Sequence, residues 1–366
     1  MTVPPVILID ILKRPSLLTS LSEQHQSAIL TEARHVNLLG QLQYLCHQHD
    51  VFDDLFLHSQ QTLLSGQQAH LAQCKQLNDY HNVLTQALTQ ATSTWSYINQ
   101  AGIQFSQQQS RLGYLRQTTE ILVSHNAIHH IENCLLTHGW RPKLISDYDE
   151  KSRIRYTNAL SPFIHQESNL ELIVHYQLLP KRFRYSGDDV FTRKLIYPDS
   201  CYPASIFDPI SAIYHLAINL FFINDSKFGL RDIFTLYSLL NENSIQEGFW
   251  GELITFQNKI GKDSSLFLAL HFCHVLFDLA IPDFVSQYYH QQFKVSVTLN
   301  SLETSYIDLF SYAFPPYQDD DYKLAARLLR IRGCIKQMPL YLLLPHIIKR
   351  GIWNCLPHES EEELIC

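Results

Sequence analysis

The chain has 366 residues and a formal net charge of −7, and 46% of its residues are hydrophobic against 17% charged. This composition is typical of a globular protein and excludes a largely disordered chain. The acidic balance argues against general affinity for nucleic acid, because phosphate binding needs an excess of Lys and Arg. We therefore expect no nucleic-acid partner.

The cysteines and the apolar segments bear on the compartment. The eight cysteines are scattered and form no Cys-x-x-Cys pair, which predicts free thiols in a reducing environment. The N-terminal stretch lacks the basic start and cleavage site of a signal peptide. The most apolar run, residues 266–281, contains charged and His residues and is shorter than the roughly 20 residues of a membrane span. We expect a cytoplasmic protein, with peripheral membrane association as an open alternative.

The first hundred residues have helical periodicity. Ser20 and Glu23 have capping-box spacing ahead of a periodic apolar set, which predicts a helix that faces a core. A longer helix is predicted over residues 63–101, with Gly102 as its C-terminal glycine. These segments define a predicted N-terminal helical region, residues 1–101.

The next segment, residues 102–195, has mixed character. Short apolar runs predict strands at 103–106 and 121–123, and helical spacing predicts a helix at 127–137. Residues 170–178 alternate between the two faces of a half-buried strand. The predicted fold is therefore α+β, with a small mixed β-sheet core embedded between N- and C-terminal α-helical regions.

Residues 196–366 are predicted to be helical again. One helix starts at Pro209, where a first-turn proline is tolerated, and another covers 230–240. The last predicted helix, residues 322–352, is basic and amphipathic. It suits a protein partner or a membrane surface, or alternatively a core-facing helix with a solvated cationic side.

Several short motifs occur in a fixed order along the chain. They include Glu120-Ile121-Leu122-Val123, Gly139-Trp140, Val174-His175 before Pro180, His215, and Gly229-Leu230-Arg231-Asp232. In this order they resemble an uncharacterised nucleotidyltransferase family that accompanies bacterial exosortase and exopolysaccharide systems. The resemblance implies a nucleotidyltransferase-like core and transfer of a nucleotidyl group from a nucleoside triphosphate.

The resemblance also implies three metal-binding acids, two of them two residues apart on one strand and the third on a neighbouring strand. In this chain those positions hold Thr118, Glu120 and Ile173, and Gln109 and Ser110 stand where the family has a phosphate-binding Lys-Gly. We therefore predict a degenerate site in an inactive or impaired pseudoenzyme. It would serve as a binding or regulatory module in a bacterial surface-polysaccharide or protein-sorting pathway, with Mg²⁺ and a nucleoside triphosphate as cofactors only if activity remains.

Two other interpretations stay open. Glu171 shares a strand face with Ile173 and, with Glu120, is the candidate for a displaced metal site in an active enzyme. The other interpretation is a helical scaffold that recognises a protein through the basic C-terminal helix.

Further residues are candidates for a substrate cleft. His175 and His215 either orient a substrate or are satisfied core histidines, and Arg231 with Asp232 either pins a helix to the α+β core or reaches phosphate. The remaining cleft candidates are Thr118, Gln109 and Ser110.

Overall fold

The computed structural model describes residues 7–91, 95–106, 111–116, 118–143, 158–179, 190–196, 203–223, 229–261, 263–292, 298–311 and 320–337. Within these ranges, helices flank a five-stranded mixed sheet and a separate pair of strands. The predicted α+β class is confirmed.

The N-terminal part is helical, as the periodicity predicts. Leu8, Ile11 and Leu12 of the first helix are buried, and so are Ile29, Leu30 and Ala33 of the second. The helices are α1 (Leu8–Lys13), α2 (Glu23–His35), α3 (Leu39–Gln48) and the long α4 (Leu57–Thr89).

The segment that follows α4 differs from the prediction. The helix predicted over 63–101 ends at Thr89, and strand β1 (Trp95–Ile98) follows; the strand predicted at 103–106 is instead part of helix α5 (Asn99–Phe105). All four β1 residues are buried, so the strand lacks the alternation that identifies a half-buried strand. Gly102 lies inside α5 and not at a helix end, and a Cβ there would stand 3.2 Å from the Tyr97 carbonyl oxygen.

The main sheet places two parallel strands at its centre. Its order is β1-β2-β5-β4-β3, in which β2 and β5 are parallel and the other pairs antiparallel. The predicted strands at 121–123 and 170–178 correspond to β2 and β5, and the predicted helix at 127–137 to α6 (Ile128–Thr137). The other strands of this sheet are β2 (Thr119–Val123), β3 (Trp140–Pro142), β4 (Phe163–His165) and β5 (Glu171–His175).

The sheet separates two apolar cores. Ile121 and Val174 belong to a core shared with residues of α4 and α6. Leu122 belongs to the larger core, which contains residues of the N- and C-terminal helices. Because side chains alternate along a strand, Glu120 lies on the same face as Leu122 and points toward the larger core.

The C-terminal part begins with strands β6 (Arg193–Ile196) and β7 (Ala204–Phe207), which pair antiparallel. The Asp208 carboxylate then accepts hydrogen bonds from the first backbone amides of α7, and Pro209 occupies the first turn as predicted. A π-helical turn at Asn219–Ile223 follows. The remaining helices are α7 (Pro209–Ile218), α8 (Gly229–Ser244), α9 (Phe249–Ile260), α10 (Ser265–Phe277), α11 (Asp283–Gln292), α12 (Thr298–Ser311) and α13 (Asp320–Gln337).

The structure also bears on the apolar run, the basic helix and the cysteines that the sequence singled out. Residues 266–281 include most of the buried helix α10, and in the described ranges no helix has the length and apolarity to cross a bilayer. Of the basic helix predicted at 322–352, α13 accounts for the portion up to Gln337, and the rest lies outside the described residues. The cysteines of the described ranges are free thiols.

Candidate functional site

Glu120 is the centre of a polar cluster on the face of the sheet that packs on the larger core. Asn99 donates a hydrogen bond to its carboxylate at 2.7 Å, Thr118 at 3.1 Å and His175, from Nε2, at 2.9 Å. Its side chain is 12% exposed. Burial raises the pKa of the Glu120 carboxyl, but the hydrogen bonds and the charge of His175 outweigh burial, so the pKa lies below its usual value.

Strand geometry explains why these side chains meet. Glu120 is in register with Ile98 of β1 on one side and with Ile173 of β5 on the other. His175 lies two residues beyond Ile173 on the same strand face, and Asn99 directly follows Ile98. Asn99 has a left-handed backbone with φ of 50°, which Asn tolerates better than most residues. The turn from β1 into α5 therefore carries its amide to Glu120.

The π-helical turn connects this cluster to the C-terminal helices. Asn219 donates a hydrogen bond from Nδ2 to Asn99 Oδ1 at 2.7 Å. The Asn99 amide is thereby oriented, because its oxygen accepts from Asn219 and its nitrogen donates to Glu120. Neither asparagine was predicted from the sequence: they are 120 residues apart, and no spacing rule connects them.

Arg231 and Asp232 hold α8 against the segment that precedes β2. Arg231 is 1% exposed; its guanidinium binds Asp232 at 2.7 and 2.8 Å, donates to the Leu115 carbonyl at 3.2 Å and lies over the Tyr114 ring. Burial raises the pKa of the Asp232 carboxyl, an effect that Arg231 opposes and the Glu120 charge reinforces. In this arrangement both side chains are committed to contacts within the protein.

A second buried arginine, Arg116, fixes the start of β2 and was not assigned a role from the sequence. It donates to Gln104 at 2.7 Å, to Thr119 at 2.7 Å and to Gln76 at 3.0 Å. Burial lowers its pKa to about 10. It ties β2 to α4 and α5.

His215 lies on α7 near Glu120 and His175. It is 4% exposed, and burial lowers its pKa to about 3, with Glu120 opposing and His175 adding to the shift. The imidazole is therefore neutral at physiological pH. Its ring meets Phe207 and Phe191 edge-on, at 5.8 and 6.2 Å between centroids.

Glu171 is at the other end of β5 and has its own partner. Its carboxylate forms an ion pair with Lys143 at 3.2 Å, while Glu120 is held by His175, Asn99 and Thr118. The two carboxylates therefore have separate partners. Gln109 and Ser110 lie outside the described residues.

The donor set does not fit a pair of catalytic metal ions. At the three positions implied by the resemblance, only Glu120 offers a carboxylate, Ile173 offers none, and the Thr118 hydroxyl donates to Glu120. Within the described ranges, no group of three or more His, Cys, Asp and Glu side chains is arranged to hold a metal ion. Hard divalent cations need several oxygen ligands, which this arrangement does not supply.

Comparison with known proteins gives a match over part of the chain. Residues 114–278 match the model of a family described as an uncharacterised nucleotidyltransferase. The match supports a nucleotidyltransferase-family domain. It runs from just before β2 to the residue after α10, so it includes Glu120, His175, His215, Arg231 and Asp232 but not Asn99. No curated protein and no solved structure matches the chain.

Proposed function

We propose that this chain is a nucleotidyltransferase-like pseudoenzyme that acts as a binding or regulatory module. The observation that carries the proposal is the bonding of Glu120. Its carboxylate accepts from three side chains of the protein, one of which, Thr118, occupies the position of an implied metal-binding acid. A carboxylate used in this way stabilises the fold and is a poor metal ligand.

The pathway is part of the same proposal. The resemblance implies an association with bacterial surface-polysaccharide or protein-sorting systems, and we propose that this chain acts in one of them. In that setting the module works through binding and not through catalysis. Without the metal ions that three acids would hold, several kcal/mol of transition-state stabilisation are lost.

A nucleotidyl-transfer assay tests the loss of activity. Radiolabelled ATP, GTP, CTP and UTP are each supplied with Mg²⁺ or Mn²⁺, and transfer is measured for the wild type, Glu120→Gln and Glu171→Gln. We expect no transfer above the buffer blank from any of the three proteins. Turnover by the wild type that only Glu120→Gln abolishes contradicts the proposal. Turnover that both variants abolish favours the active enzyme with a displaced metal site.

The partner is proposed to meet the exposed face of α13. Arg332 and Lys336 point inward, since both donate to the Phe221 carbonyl, at 2.8 and 3.5 Å, whereas Arg327 and Arg330 are exposed. The exposed apolar side chains on this helix are Leu324, Leu328, Ile331 and Ile335. An apolar stripe beside exposed cations suits an anionic membrane surface, with a protein partner as the alternative.

A further inference from the structure

A cavity of about 200 Å³ lies beside the Glu120 cluster, between β1, α5, the β6–β7 pair, α7 and α8. It shares Asn99 with that cluster and is also lined by His215, but most of its wall is apolar. The apolar side chains in the wall include Ile103, Ile196, Ile206, Phe207, Leu216 and Leu239. Sites for small organic molecules commonly combine such walls with a few convergent polar groups.

His215 contributes a buried imidazole ring to this wall. In the described part of the chain, neither ring nitrogen has a hydrogen-bond partner, and the residue lines the cavity. A neutral imidazole offers one N–H donor and one acceptor nitrogen. Buried polar groups without partners destabilise a fold, so their retention at a cavity wall points to a ligand that satisfies them.

The charges around the cavity restrict what can enter it. Lys194 and Glu242 line it with opposite signs, and the Glu120 carboxylate is close enough to His215 to affect its titration. The apolar wall would desolvate a charged group of either sign beside His215, and Glu120 would in addition repel an anion. The part of a ligand that reaches His215 is therefore uncharged.

The size of the cavity sets the size of the ligand. A cavity of about 150 Å³ is enough to hold benzene. We infer that this cavity binds an uncharged heteroaromatic molecule of one or two rings that carries a hydrogen-bond donor or acceptor for a ring nitrogen of His215. The inference rests on the proposed function, because it names the ligand class of the binding module.

Binding of indazole, a neutral bicycle with adjacent N–H and N groups, tests the inference. Titration calorimetry gives the affinity, and ¹⁵N-histidine NMR reports the His215 ring, assigned by its loss in His215→Phe. We expect indazole to bind and to shift the His215 nitrogen signals. His215→Phe removes the hydrogen bonds and Ala212→Leu fills the cavity, so each weakens binding by about tenfold or more. The control Ala28→Leu makes the same change on an exposed helix position and leaves binding unchanged.

Thermal unfolding separates a ligand-facing role from a structural one. His215→Phe should unfold at the same temperature as the wild type or higher, since it removes an unsatisfied polar ring.

Failure of indazole to bind, unchanged binding in Ala212→Leu, or equal affinity for indole-3-carboxylate overturns the inference. Competition by adenosine identifies the ring as a nucleobase, and its absence indicates another heterocycle. Nucleotidyl transfer is measured in a separate assay. Transfer activity would contradict the proposed function, whereas failure of indazole to bind would contradict only the ligand inference.

Discussion

At the scale of single residues, Glu120 shows how side chains of the protein can balance a buried carboxylate. Thr118 donates to the Glu120 carboxylate, and Ile173, opposite Glu120 on β5, offers no oxygen. His175 and Asn99 complete the bonding of the carboxylate. Three protein side chains therefore balance the charge of this carboxylate.

The contribution of Glu120 to stability should depend on pH. Its pKa is lower in the folded protein than in the unfolded chain, so its contribution is present above the unfolded value and is lost as pH falls through the folded value. We expect Glu120→Gln to lower the free energy of unfolding by about 2 kcal/mol at pH 7. The difference from the wild type should shrink as the pH falls below about 4. Urea denaturation at a series of pH values measures it.

Glu171→Gln is the matched control for this experiment. Glu171 pairs with Lys143 at a partly exposed position, and such pairs contribute about 0–1 kcal/mol. We expect a small effect at pH 7. A Glu120→Gln effect as small as that of Glu171→Gln, or one that grows on acidification, contradicts the bonding described for Glu120.

The sequence predicts the position of Glu120 but not its partners. The apolar run after it identifies β2, and the alternation of β5 places His175 on a strand face. Asn99 could not be found in the same way, because its contact with Glu120 depends on a left-handed turn between β1 and α5. Asn219, which bonds Asn99, lies in the π-helical turn, 120 residues further along the chain. Such contacts follow from tertiary packing, which local spacing does not encode.

At the scale of elements, the segment before β2 is held by helices from both halves of the chain. His70 of α4 contacts the Tyr114 carbonyl at 2.9 Å, and Arg231 of α8 donates to the Leu115 carbonyl. Gly113 of this segment packs backbone to backbone against Gly40 of α3. The position of β2 therefore depends on helices that are distant in sequence.

Gly113 should tolerate no side chain. Its φ is +71°, and a Cβ there would overlap the Gly40 backbone. We expect Gly113→Ala to lower the free energy of unfolding by about 2–4 kcal/mol, from backbone strain and displacement of α3. Gly251→Ala is the control: it lies in α9 with open space around it and should stabilise the protein by about 0.5–1 kcal/mol. Equal stability of the two variants in chemical denaturation contradicts this close approach.

The elements that the sequence predicts correctly are those with a clear period. α2, α6 and β5 show helical spacing or alternation, and each is present. β1 and α5 were predicted wrongly because β1 is buried on both faces and α5 has only seven residues. A helix that short is marginal by itself and forms through its packing against the sheet.

At the scale of the whole molecule, one face of the sheet packs on a core shared with α4 and α6, and the other on the core that contains residues of the N- and C-terminal helices. α13 packs on the π-helical turn, where Arg332 and Gln337 donate to the carbonyls of Phe221 and Ile223. Its opposite face carries four apolar side chains, spaced four, three and four residues apart and 41–54% exposed. This is the face that we propose contacts a membrane or a protein partner.

Membrane association through α13 can be measured with lipid vesicles. We expect the protein to sediment with vesicles containing phosphatidylserine more than with neutral vesicles, and less as salt rises, because Arg327 and Arg330 flank the stripe. Ile331→Glu places a charge in the stripe and should reduce binding about tenfold or more, whereas Ile245→Glu makes the same change at an isolated position that is 87% exposed and should have little effect. Equal vesicle binding by the two variants rules out α13 as the contact. No vesicle binding, together with a complex in solution that only Ile331→Glu disrupts, instead identifies a protein partner.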